Sequence, residues 1–71
     1  MGSLSLLDQA LNKLQLTNDA LVKASTQQLT YKQVQKARKG KPVTLNIQHK
    51  ILSAVHTCVP EAGIRLQDLF E

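Results

Sequence analysis

The sequence predicts an all-α fold, a compact bundle of four to five short helices. Three observations carry that prediction. Apolar residues recur at spacings of three and four along most of the 71 residues, which places them on one face of successive helices. Threonines stand just ahead of several of these runs, twice behind a leucine (Leu16-Thr17 and Leu29-Thr30), as N-caps with hydrophobic staples do. No segment alternates apolar and polar residues as a half-buried strand would, and no repeat or low-complexity stretch interrupts the chain. Residues 1–71 form one domain on this reading, too small for a second core or a deep enzyme cleft. With 42% hydrophobic residues and only 3% aromatics, the core must be built from Leu, Val, Ile and Ala.

Taken in order, Leu4, Leu7, Leu11 and Leu14, with Ala10 beside them, define a first amphipathic helix over roughly 4–14, with Asn12 and Lys13 on its wet side. Thr17 caps a second helix over 17–25, Leu16 stapling to Leu21 and Asp19 complementing the dipole in the first turn. Thr30 and Gln33 form a capping box for a third helix over 30–39, with Leu29 stapling to Val34. Gly40 stops that helix and Pro42 prevents its continuation. Thr44 caps a fourth helix over 44–58, whose stripe is Ile47, Ile51, Ala54, Val55 and Cys58. Pro60 ends it, Glu61-Ala62-Gly63 reads as a loop, and the segment 64–70 is too short to classify. Leu66, Leu69 and Phe70 are expected to cover an open edge of the core.

Nine Lys and Arg stand against five Asp and Glu, a formal net charge of +4. No acidic residue occurs from Ala20 to Pro60, while Lys23, Lys32, Lys36, Arg38, Lys39, Lys41 and Lys50 all fall there. Such a one-sign block attracts polyanions, although a merely solvated basic face has the same composition. A single Cys excludes a disulfide framework. No apolar run is long enough to span a bilayer, and no basic stretch precedes an apolar one as in a signal peptide. Met1-Gly2 starts like a myristoylation signal, but Leu6 occupies the position that motif reserves for Ser or Thr; Met-Gly-Ser equally resembles a cloning scar. A soluble, cytoplasmic protein is expected. His49, His56 and Cys58 are three soft ligands without a fourth, so no metal site is expected. No nucleophile pair with an orienting group and no phosphate-binding glycine loop occurs. The expectation is a non-enzymatic protein with no cofactor.

A short helix, a tight connection and a second capped helix with a basic outer face make a helix-turn-helix candidate. Projected at about 100° per residue, the third helix turns Val34 and Ala37 inward, with Tyr31, Arg38 and Lys41 on the flanks. Lys32, Lys36 and Lys39 fall on the opposite side with Gln35, and Gln33 lies at the edge. Exposed helices ordinarily mix signs for i,i+4 support; this one has no acid between Tyr31 and Lys41.

The segment 16–55 resembles the Cro and phage-repressor (XRE-type, lambda-repressor-like) helix-turn-helix domains. The marks are Leu16-Thr17 with Leu21 and Val22, then Leu29-Thr30 and Val34, then Arg38-Lys39-Gly40-Lys41-Pro42, and finally Ile47, Ile51 and Ala54-Val55. They span a little over half the chain. Three features depart from the family's pattern. Ser25-Thr26-Gln27-Gln28 lacks the usual turn glycine and is about two residues longer; an alternative register centred on Ala24 restores the spacing but puts Lys23 and Gln27 at apolar positions. Arg38 stands where the family often has an acid, two residues before the helix-ending glycine. A separate oligomerisation or sensor module is expected to be missing.

The resemblance implies double-stranded DNA binding by a transcriptional regulator, with helix 30–39 in the major groove. Thr30, Tyr31, Lys32 and Gln33 would open the recognition helix, Gln33 pairing with adenine and Lys32 with guanine, and Lys36 would reach further along the groove. Thr17 and Asn18 would offer donors to phosphate, and Lys39, Lys41 and the helix start at Thr44 would hold the other strand's backbone. One module binds weakly, so a homodimer would supply a second half-site. Leu69-Phe70 and the 4–14 face are the candidate contacts, although closing the monomer's own core is their preferred role. The alternative is a small helical protein-interaction module, an adaptor or antitoxin-like partner whose basic surface receives an acidic peptide. RNA is disfavoured because so few aromatics are available to stack bases.

Overall fold

The computed structural model describes residues 5–25 and 28–70. Among them are five α-helices, α1 (Leu6–Lys13), α2 (Asn18–Ala24), α3 (Tyr31–Arg38), α4 (Leu45–Cys58) and α5 (Leu66–Leu69), with a 3-10 turn at Pro60–Ala62 between the last two and no strand. The all-α reading holds. No described helix is long and apolar enough to cross a membrane.

Each long element starts where a side chain can satisfy an orphan N–H. The hydroxyls of Ser5, Thr17, Thr30 and Thr44 accept from the N–H groups of Asp8, Ala20, Gln33 and Ile47 respectively. At Thr30 the box is reciprocal, because the Gln33 side-chain carbonyl accepts from the Thr30 N–H. The first helix therefore begins at Leu6 with Ser5 as its cap, later than expected, and Leu4 lies outside the described residues.

Helices α1 and α3 end alike. After α1, the Leu16 N–H donates to the Leu11 carbonyl and the Gln15 N–H to that of Asn12; after α3, the Lys41 N–H donates to Lys36 and the Gly40 N–H to Ala37. Both are Schellman motifs, which put the residue after the C-cap in the left-handed region. At the second this is Gly40, φ 80°, as the sequence predicts; at the first it is Gln15, φ 59°, a conformation that carries a steric penalty for a side chain.

The core consists of Leu7 and Leu11 of α1, Leu21 of α2, Leu29, Val34 and Ala37 around α3, Ile51, Ala54 and Val55 of α4, and Leu69 of α5. It contains no aromatic; Phe70 and Cys58 are half-buried against it. Helix α1 packs on α3 and α5, α2 on α3 and α4, and α4 on α5. Two stretches depart from expectation. Residues 60–62 form a 3-10 turn where a loop was expected, the Ala62 N–H donating to the Val59 carbonyl, and Gly63 closes it with φ 64°. The unclassified 64–70 contains α5, started by the Asp68 carboxylate accepting from the Arg65 N–H and held by burial of Leu69. The residues offered above as dimer contacts are drawn inward accordingly: Leu7, Leu11 and Leu69 are buried in the single chain.

Candidate nucleic-acid interface

Helix α3 is anchored from one side. Val34 and Ala37 face the core between α1 and α2, while Lys32, Gln35, Lys36 and Lys39 are exposed. Thr30, Tyr31, Lys41 and Thr44 are exposed as well, Tyr31 at 49%. The ten residues singled out from the sequence thus divide by what their polar atoms already do. Thr17, Thr30 and Thr44 are caps whose oxygens accept backbone N–H groups; each hydroxyl proton is still available to donate. Lys32, Lys36, Lys39 and Lys41 have no carboxylate partner within ion-pair distance among the described residues, where the one such pair joins Arg38 to Asp8.

Two of the expected contacts fall on amides whose oxygens are already engaged. Gln33 was expected to pair with adenine, which takes both ends of the amide, but its Oε1 is held by the Thr30 N–H at 3.1 Å. The Asn18 Oδ1 accepts from Arg38 Nη1 at 2.7 Å, which leaves its NH2 group, the donor expected to meet phosphate, available. Only the NH2 group of each remains without a partner.

Arg38 is what the sequence reading missed. Its side chain is folded back against α1 and α2, its Nε donating to Asp8 Oδ1 at 2.6 Å and its Nη2 to Asn12 Oδ1 at 2.9 Å. Asn12 in turn donates to the other carboxylate oxygen of Asp8. The Arg38 backbone is held too, its carbonyl accepting from the Ser5 hydroxyl at 2.8 Å. One hydroxyl thereby caps the start of α1 and an orphan carbonyl at the end of α3. The arginine belongs to the basic block in sequence but not to its free charge in space. A clue was present: no acid lies near Arg38 on its own helix, and α1 supplies the opposite sign at Asp8. Six residues separate Ala24 from Tyr31, with Thr26 and Gln27 outside the described residues.

A second surface feature lies on the other side of the α3–α4 connection. An open groove of about 620 Å³ runs between Leu6 and Gln9 of α1, Lys41 to Val43, and Phe70. His49 and His56 are exposed, and His56 Nε2 bonds the Ile64 carbonyl, tying α4 to the approach of α5. Among the described residues no three His, Cys, Asp or Glu converge as a metal site would require. No protein-family model matches the chain, and no match to it is found among curated proteins or solved structures.

Proposed function

We propose that this chain binds double-stranded DNA by seating α3 in the major groove, as a small regulator of transcription. The observation that supports this most is the outward face of α3: Lys32, Gln35, Lys36 and Lys39 exposed together, without carboxylate partners among the described residues, on a helix whose other face packs on α1 and α2. Ammonium and amide groups on the outer face of a packed helix suit phosphates and base edges. Lys41 and the α4 start at Thr44 follow directly and supply further phosphate donors. Unpaired, the lysines repel one another, and a polyanion relieves that repulsion. A second copy would add a half-site and raise affinity.

Anisotropy titration of a labelled mixed-sequence duplex at several salt concentrations tests the reading. Affinity is expected to fall with salt. Lys39→Ala and Lys41→Ala are expected to weaken binding to all duplexes alike and to make the log–log salt slope shallower by about 0.9 per phosphate contact removed. Unaltered slopes in both variants would mean that these lysines are only solvated.

The groove beside Lys41 supports a second reading, a protein-interaction module for a short acidic peptide, because its floor includes Leu6, Val43 and Phe70 and none of its lining residues is a carboxylate. On that reading the titration shows no duplex binding, and Leu6→Glu abolishes partner binding while leaving the helix content intact.

A further inference from the structure

We propose that the outward face of α3 selects guanine, through Lys32 and Lys36, and that Gln33 takes no part in reading bases; this rests on the DNA-binding reading above. The inference comes from counting which donors and acceptors the fold leaves available. A lysine ammonium donates and cannot accept. In the major groove guanine presents two acceptors, N7 and O6; adenine and thymine present one each, and cytosine presents only a donor. A face made of lysines therefore gains most opposite guanine.

Reading adenine or cytosine requires an acceptor on the protein, and acceptors are scarce here. No Asp or Glu occurs between Ala20 and Pro60. The Gln33 carbonyl and the Thr30 hydroxyl oxygen accept from each other's backbone N–H groups. Releasing Gln33 to pair with adenine would open the capping box and leave the Thr30 N–H without its acceptor. Gln35 Oε1 and the flanking Tyr31 hydroxyl are the acceptors left on this side.

Spacing adds a geometric constraint. Lys32 and Lys36 are one turn apart, about 6 Å along the helix axis, and base pairs are stacked about 3.4 Å apart. Their ammonium groups therefore address positions roughly two base pairs apart. Lysine lacks the guanidinium fork that grips N7 and O6 together, so the preference is smaller than a pair of arginines would give.

The test compares three duplexes of one sequence and length: unmodified, with every guanine replaced by 7-deazaguanine, and with every adenine replaced by 7-deazaadenine. These replacements remove N7 and leave Watson–Crick pairing and phosphate charge unchanged. For the wild-type chain the guanine replacement is expected to weaken binding about tenfold and the adenine replacement less than about twofold, taking each lost contact as a single hydrogen bond rather than a bidentate one. In Lys32→Gln with Lys36→Gln, overall affinity falls and the difference between duplexes disappears. In Gln33→Glu, which keeps the capping acceptor and removes the NH2 group, affinity falls but the difference stays. Circular dichroism checks that each variant remains helical. Wild-type binding that is equal on all three duplexes overturns guanine selection while leaving DNA binding intact. A difference that survives the double lysine change, or vanishes in Gln33→Glu, assigns the reading to other residues and overturns the proposal. Absence of binding to any duplex removes the DNA reading itself, and this inference with it.

Discussion

Replacing Arg38 by Met keeps most of the side chain's apolar length and deletes its charge and all three donors. Three hydrogen bonds vanish at once, to Asp8, Asn18 and Asn12, and Asp8 is left without a counter-charge. The ion-pair side chains are 18% and 14% exposed. An exposed pair contributes about 0–1 kcal/mol, whereas breaking a fully buried one costs about 3–5 kcal/mol. At this exposure the expected loss is about 2–3 kcal/mol. A domain this size has roughly 4–11 kcal/mol of total stability, so Tm should fall by roughly 10–20 °C. Thermal and urea melts followed by circular dichroism, on Arg38→Met, Asp8→Asn and the double variant, measure both the loss and the coupling. Residues in one network should be non-additive by at least about 1 kcal/mol. Single variants each within about 0.5 kcal/mol of wild type, adding independently, would show that the arginine does not hold α3 to α1.

Thr30→Ala should cost about 1 kcal/mol by removing the acceptor for the Gln33 N–H, whereas Thr30→Ser, which keeps the oxygen, should lose far less; equal losses would sink the capping account. Gln15→Gly should raise stability by about 0.5–1 kcal/mol, because the left-handed backbone there strains any side chain, and a melt showing no gain would mean that Gln15 is relaxed. Gly40→Ala should lose about 1 kcal/mol for the same backbone reason; its new Cβ would lie 3.9 Å from the Ser5 Cβ, an ordinary contact, so a much larger loss would point to crowding instead. Leu69→Ala should cost about 2–4 kcal/mol if α5 closes the core, and a near-neutral melt would place that helix outside the cooperative unit.

Features written in local chemistry were legible before any coordinates. Thr17, Thr30 and Thr44 cap where they stand because a cap depends on three or four neighbouring residues, and Gly40 stops α3 because its left-handed φ is cheap only for glycine. Gln15 adopts the same conformation without any such marker, at the turn that sets half-buried Leu16 against the core. Helix α5 is four residues long, too short to show a period, and exists because Leu69 is buried. The candidate interface divides in the same way. The exposed lysines of α3 follow from helical projection, whereas the commitments of Gln33, Asn18 and Arg38 follow from hydrogen bonds. Of these, the capping box is local and readable from Thr30 and Gln33 alone. The Arg38 partners lie 20 to 30 residues away, a distance that pattern reading along the chain does not cross.

The packing of α5 on α1 bears on the order in which this chain can acquire its structure. Leu7 and Leu11 share a core with Leu69, so the first helix cannot bury its apolar face completely until α5 has been made, some 60 residues later. At about 5–20 residues per second, that leaves those leucines waiting several seconds on a growing polypeptide. Closing so long a loop has an entropic cost that local helix formation does not, and raises the contact order above that of a simple helical hairpin. The individual helices can flicker in and out early, each from its own cap. Cooperative closure comes last, and a nascent chain shorter than this offers chaperones an uncovered leucine stripe.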